Sequence, residues 1–428
     1  MKNSALLPNH NIMTQSHITI IGAGIIGIST AAFLQRAGHK VTVIDRVAPG
    51  DGCSFANAGG VAFAEVMPTI HPRILLKIPG WLLDPLGPLT IRWSYLPKAL
   101  PWFLAAGRNA LPDRVRKITA ARGALSLRVV GDFDTLLHDA NASDLLVKKD
   151  SLRLYDTEAQ YRAEETERIA KREYGYEMKK LSPGEIAEIE PDLARDFACG
   201  SFHGGWYYVR NPKTVVTSIA ECVVRNGGEI ICDDVLEVGQ EGSRAAHIRL
   251  KAGGERKLDR LVICAGAYSN FFARSFGDKV LLEAERGYHL VIPDPGITLG
   301  RSFTYVATPM AVTPMDMGLR LAGTDEFAGL EAEPNWKRAD ALWPFAKRCL
   351  PNLRAIDQNV SRWMGRRPGT PDGLPVIGPS RRLTNVWYGF GHSHMGLTWG
   401  PTTGRLLSEL LSGNKSNIDL SPFRADRF

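Results

Sequence analysis

The chain has 428 residues, 44% hydrophobic and 23% charged: long enough for two domains and too apolar for wholesale disorder. A formal net charge of +7 suits small anions or acidic surfaces. It does not suffice for a nucleic-acid partner, because Arg381-Arg382 is only a pair and no longer basic run exists.

In chain order, residues 1–16 carry polar Asn, His and Gln where a secretion signal needs a continuous apolar stretch. They read as a disordered tail, with Met13 a candidate start, on a cytoplasmic protein. His17–Ile21 is β-rich and runs into Gly22-Ala23-Gly24-Ile25-Ile26-Gly27. A helical pattern follows through Leu34 and closes at Gly38, and a second strand, Lys40–Ile44, ends in Asp45. Strand, glycine turn, helix, strand and an acid about 20 residues on form the full context of a dinucleotide site. Gly22 makes the turn, Gly24 admits a pyrophosphate, and Gly27 lets helix and strand close up. The helix N-terminus offers free N–H groups, and Asp45 can accept from a ribose diol.

The motif alone does not separate NAD from FAD. Next comes Cys53-Ser54-Phe55-Ala56-Asn57-Ala58-Gly59-Gly60, a small-residue loop where an NAD enzyme would continue its βα alternation. Such a loop brings backbone amides and the Ser54 hydroxyl to a flavin. Residues 74–117 hold Trp81, Trp93 and Trp102 among leucines and prolines, with Arg92, Lys98, Arg108, Arg114, Arg116 and Lys117. This is either a proline-interrupted helical region or a surface for anionic lipid. Thr119–Ala140 has helical spacing, Leu145–Tyr155 and Gly200–Val209 read as strands, and Thr214–Arg225 reads as a helix. Gly228–Val235 and Leu258–Ala265 are further strands, the second entering Ala265-Gly266. Gly287–Ile292, Ser302–Pro309 and Gly318–Thr324 suggest an antiparallel sheet walling a pocket, with Tyr288 and Tyr305 as hydroxyl donors. The end holds Gly365-Arg366-Arg367-Pro368-Gly369-Thr370-Pro371-Asp372-Gly373 and then Gly391-His392-Ser393-His394-Met395-Gly396-Leu397-Thr398, before a helix from Pro401 to Leu411. The six cysteines are scattered, with no C-x-x-C and no zinc spacing, so no metal site is expected.

Taken together, Gly22–Gly27, Ser54–Gly59, residues 151–160, Arg286-Gly287-Tyr288, Gly365–Gly378 and Gly391–Thr398 resemble the D-amino-acid oxidase-like flavoproteins. The likeness is strongest to the bacterial D-amino-acid dehydrogenase branch and its hydroxyproline-oxidising relatives. It implies an α/β architecture: a discontinuous Rossmann-like FAD-binding domain (17–62, 213–277 and 356–428) with an inserted α+β substrate domain (63–212 and 278–355) on a mostly antiparallel sheet. Cofactor contacts are implied at Gly22, Gly24, Ile25, Ile26, Gly27, Asp45 and Arg46, then at Ser54, Asn57, Ala58 and Gly59. Val235, Ala265, Gly266 and Gly365 follow, and the last turn adds Gly391, His392, Met395, Gly396, Leu397 and Thr398.

The family's carboxylate-binding arginine stands immediately before the motif proline, the place Arg367 fills, and guanidinium geometry suits that task. His394 is a further candidate facing flavin or substrate. The implied reaction is oxidative deamination of a small amino acid, of D configuration, by hydride transfer from Cα to flavin N5. Electrons pass to a respiratory quinone or oxygen, with peripheral contact on the inner face of the cytoplasmic membrane. The stretches around Ala307–Met310 and Gly318–Thr324 look more like the hydroxyproline-oxidising relatives, so D-hydroxyproline, sarcosine or glycine stay open as substrates. So do a pyridine-nucleotide dehydrogenase and a flavin-holding scaffold without turnover. The dehydrogenases carry smaller residues where this chain has His392–Met395, which leaves substrate and acceptor open.

Overall fold

The computed structural model describes residues 15–55, 57–84, 87–354 and 359–428. Most of the expected tail, Ala56 of the small-residue loop and the expected boundary at 355/356 lie outside them. Ser16 is buried and its carbonyl accepts from Lys40 N–H, so the ordered chain begins before His17.

One sheet has six strands in the order Glu229–Cys232, Lys40–Asp45, His17–Ile21, Arg260–Ile263, Val386–Phe390, Val376–Pro379. The first five run parallel, and only the last pair is antiparallel. Strands covered on both faces need apolar side chains throughout, and Ile18, Ile20, Val43 and Val262 are each 0% exposed. The first helix, Ile25–Arg36, stops at Gly38 (φ +86°). There Gly38 N–H reaches the Gln35 carbonyl and His39 N–H the Leu34 carbonyl, the paired bonds of a left-handed helix stop.

A second sheet of nine strands is mostly antiparallel. Its order is Ser361–Gly369, Glu283–Ile292, Gly318–Phe327, Met310–Met315, Phe303–Tyr305, Ser151–Tyr155, Cys199–His203 and Lys180–Leu181, with Leu89–Ile91 pairing to Gly318–Phe327. Ser361–Gly369, expected with the cofactor half, is paired along its length to Glu283–Ile292 and belongs here.

Several expected elements divide. Residues 119–140 form two helices, Pro112–Ser126 and Val129–Asp139. The strand expected over 145–155 splits between two sheets, as does that over 200–209. The strand expected over 228–235 ends at Cys232, and Val235 opens a three-stranded antiparallel sheet. The last helix starts at Gly396 and keeps Pro401 inside its second turn. No helix among the described residues is long and apolar enough to cross a membrane.

Candidate active site

Three turns meet at the end of the six-stranded sheet. A Cβ on Gly22 (φ +115°) would stand 2.3 Å from the Cys264 carbonyl oxygen, and one on Gly27 would stand 1.8 Å from the Gly22 oxygen. Both are backbone atoms that cannot step aside, so the glycines are obligatory for this closeness. Gly24 caps the first helix in extended conformation without a side-chain bond, and no acid lies in the first turn. The Ser54 hydroxyl accepts from Ile25 N–H at 3.0 Å, tying the small-residue loop to the glycine turn. Asp45 accepts from Ala23 N–H at 2.7 Å and Val47 N–H at 3.3 Å, so it shapes the turn as well as ending the strand. Burial raises its pKa. The Arg46 guanidinium lies 3.8 Å from the Tyr268 ring centre.

The last helix runs alongside the first in the same direction. A Cβ on Gly400 would touch Ile25, one on Gly404 would strike the backbone of Ser29 and Thr30, and Ser408 Oγ donates to the Phe33 carbonyl. Equal four-residue steps on both helices require parallel axes. Their two N-termini therefore open on the same side, each a favourable end for negative charge. Thr398 Oγ1 accepts from Ala62 N–H at 3.0 Å and fastens that end to the chain leaving the small-residue loop. Just before the helix, Gly391 (φ +82°) and Ser393 (φ +48°) turn the backbone sharply. His392 Nε2 lies 2.9 Å from Thr403 Oγ1 in full burial, and that burial pulls its pKa down to about 3. His392 Nδ1 and Ser393 Oγ are buried with no partner among the described residues.

The nine-stranded sheet turns one face to this end. Side chains alternate along strands, and the register sets Glu285, Gly287 and His289 opposite Arg367, Gly365 and Trp363. A Cβ on Gly287 would lie 2.1 Å from Arg367 Nη2, so the guanidinium lies across the bare backbone. Arg367 Nη1 donates to the Asp325 carboxylate and, at 3.4 Å, to the Thr324 carbonyl. Thr324 holds φ +61°, a strained value for a β-branched residue, and it delivers Asp325 to the arginine. Glu285 is half-buried beside them; burial, and then repulsion from Asp325, push its pKa up to about 8. Cys53 Sγ lies 3.5 Å from where a Gly365 Cβ would be, and Phe55 packs on Trp363 with ring centres 6.0 Å apart. The loop and the arginine strand thus share one wall.

His394 carries open surface, yet enclosure by protein, with Arg122 and Arg367 adding to it, pulls its pKa down to about 3. The two facts agree if the ring lines a deep internal space. Its Nε2 is 3.5 Å from Thr69 Oγ1.

The profile of the FAD dependent oxidoreductase (DAO) family matches residues 17–410. The chain belongs to this family. Among curated relatives, a D-amino-acid oxidase of Bradyrhizobium diazoefficiens is 37% identical over 96% of this chain and 99% of its own length. A D-amino acid dehydrogenase of Dechloromonas aromatica is 27% identical over 93% and 97%. The fold matches glycine oxidase from Geobacillus kaustophilus, with TM-score 0.73 and 20% identity over 97% of this chain and 100% of that one. It also matches L-proline dehydrogenase from P. horikoshii, with TM-score 0.74 and 17% identity over 97% and 98%.

An FAD-dependent oxidoreductase of the DAO family needs room for a dinucleotide beside free N–H groups, and the three turns offer both. The glycine cradle at Gly22–Gly27, the two helix N-termini and the orphaned Ser393 hydroxyl fit a long anionic cofactor, and Gly266 (φ +56°) leaves open space where a side chain would stand. Met395 and Leu397 are buried. Gly365 lies on the arginine strand rather than in a cofactor turn.

The two expected hydroxyl donors, Tyr288 and Tyr305, already have partners within the protein. The Tyr288 hydroxyl donates to Glu326 at 2.6 Å and accepts from Asn335 N–H, on the face of its strand opposite Gly287 and Arg367. The Tyr305 hydroxyl donates to Asp156, and its ring packs on Phe197. Both rings belong to one buried apolar cluster. Arg366 also leaves the pocket face, donating to the Leu330 carbonyl at 2.7 Å. Glu285, Trp363 and Asp325 escaped sequence reading; once Arg367 was assigned, strand alternation alone could have found Trp363.

Glu285 carries a stability prediction. Its carboxyl ionises near 4.5 when free and near 8 in the fold, so the unfolded chain releases the proton first as pH rises. Its contribution is intact below the lower value and is lost progressively up to the higher one. Thermal unfolding of apo-protein across this window should show Glu285→Gln gaining on the parent, with the difference levelling above pH 8. A constant difference would place the group in water.

Proposed function

We propose that this chain oxidises the Cα–N bond of a small amino acid, of D configuration as in the relatives named above, with the carboxylate held by Arg367. The observation that carries the reading is the Arg367 guanidinium spread across Gly287, on the wall shared with the cofactor loop. Asp325 occupies one edge of the fork, leaving Nη2 and Nε to meet a planar carboxylate.

Bound FAD supplies a two-electron acceptor. The protein's own task is orientation. Arg367 fixes one end of the substrate, and His394, held neutral, adds no charge beside the amine. With its pKa pulled down, His394 is a weak base, and hydride transfer from a free amine needs none. Oxidation would move the Cα hydrogen with its electron pair to the FAD that would be bound, one N–H proton would pass to water, and an imine would remain. Water then releases a 2-oxo acid and ammonia, or the product stays a cyclic imine if the substrate is a ring.

Anaerobic mixing with D-, L- and N-alkyl amino acids, including both hydroxyproline epimers, tests this. Bleaching of the flavin by D-amino acids supports it, and no bleaching by any amino acid removes it. Reoxidation by air against a quinone then identifies the acceptor.

The face built from residues 72–84 and 87–111 is the candidate contact with a quinone-bearing membrane. Leu76, Leu83, Trp93 and Leu104 are exposed by 83%, 86%, 68% and 60%, and Arg73, Lys77, Arg92, Lys98 and Arg108 are exposed among them. Apolar and basic side chains together suit anionic lipid. Co-sedimentation with phosphatidylglycerol vesicles at low salt is expected to retain the protein, weakening as salt screens the charges. Leu76→Glu with Leu83→Glu should abolish it; a parent protein that stays in the supernatant removes the idea.

A further inference from the structure

Arg320 stands on strand Gly318–Phe327, 2% exposed, and among the described residues no carboxylate reaches it. Other buried arginines are set against acid: Arg286 meets Glu326, and Arg122 lies within the field of Glu65 and Asp372. Among the described residues Arg320 Nε has no acceptor, and Nη2 meets only the Met317 sulfur at 3.8 Å. Burial pulls its pKa down to about 10. Nη1 makes the one close bond, 2.8 Å to the Asn57 carbonyl. A buried cation without a counter-charge is destabilising, so the fold retains it against a cost.

The bond fixes a direction. In a trans peptide the C=O and N–H point opposite ways. Arg320 draws the Asn57 oxygen toward the sheet, so the Ala58 N–H points off it. Thr313 Oγ1 holds the next carbonyl, Ala58, at 2.8 Å in the same manner, while Gly59 N–H is taken by Asn57 Oδ1 at 2.7 Å. Ala58 N–H itself has no acceptor among the described residues. The same loop is joined to the glycine turn through the Ser54 hydroxyl and to the arginine strand through the packing of Phe55 on Trp363.

We propose that Arg320 is a positioning residue for the cofactor: by gripping the Asn57 carbonyl it aims a polarised Ala58 amide at the isoalloxazine of bound FAD and favours its negatively charged reduced form. The inference rests on membership of the FAD-dependent family and is independent of which amino acid is oxidised.

The test uses holoprotein without substrate, titrated with dithionite against a reference dye. Arg320→Met should make two-electron reduction of the flavin about tenfold less favourable, a potential ~30 mV lower, and Arg320→Lys should recover most of it. Apo Arg320→Met should unfold at the parent's temperature or above, because an uncompensated buried charge is gone. Should the Met variant fail to hold FAD, Arg320→Gln is titrated in its place. An unchanged potential in a loaded uncharged variant overturns the proposal. So does an apo-protein that unfolds well below the parent in both the Met and Gln variants, which would assign Arg320 to loop anchoring alone.

Discussion

Arg367→Ala should raise KM for the amino acid about 100- to 1000-fold while FAD content and visible spectrum match the parent. The range corresponds to about 3–4 kcal/mol, reasonable for a charge-assisted, forked contact to carboxylate in an enclosed site. Two neighbours deepen the loss. Asp325, now without its partner, is left facing the substrate carboxylate, and Glu285 loses the cation that favours its ionisation. Arg367→Lys keeps the charge and surrenders the fork, so its KM should fall between parent and Ala variant. Steady-state kinetics with flavin quantified by absorbance decide the matter. An unchanged KM in the Ala variant would remove Arg367 as the anchor.

The glycine turn at the end of the six-stranded sheet was legible in the sequence because its signals are local. Gly22, Gly24 and Gly27 are required by backbone approaches within a few residues of one another, and Asp45 follows at the end of the next strand. No distant contact has to be known to read them. Gly391–Thr398 was legible for the same reason, although its helix was read as starting at Pro401. A proline is favoured in a first turn, but here Gly396 and Leu397 already belong to the helix, and Pro401 takes an interior place.

The substrate side was not legible to the same depth, for a different physical reason. Glu283–Ile292 is covered on both faces, so its residues give no alternation to say which side chains meet the pocket. Tyr288 and Gly287 are adjacent and point to opposite faces, and the sequence does not say which of the two faces Arg367. Only the antiparallel register, which pairs Gly287 with Gly365 and Glu285 with Arg367, settles it, and register between strands some 80 residues apart is a tertiary fact. Arg320 is hidden likewise. Nothing in Gly318–Thr324 shows that its guanidinium lacks an acid or that its partner is a carbonyl at residue 57.

Gly287→Ala is expected to lower kcat/KM about 100-fold in a protein that folds, binds FAD and unfolds within a few degrees of the parent. The added methyl would lie 2.1 to 2.5 Å from three guanidinium atoms of Arg367 and meet no closer backbone. The obstructing group is the end of a flexible side chain, so it swings away at little cost and the strand stays intact. Its displacement by an ångström or more is nevertheless enough to spoil alignment of a bound carboxylate, and misplacement on that scale can cost two orders of magnitude in rate. Gly27→Ala would behave in the opposite manner, because its methyl meets the Gly22 carbonyl and only backbone movement could admit it. Comparing the two by flavin content, thermal unfolding and kinetics separates a glycine kept for the chain's own packing from one kept to seat the anchor. Full activity in Gly287→Ala would mean that Arg367 does not need its position across the bare backbone, and the carboxylate would have to be held elsewhere.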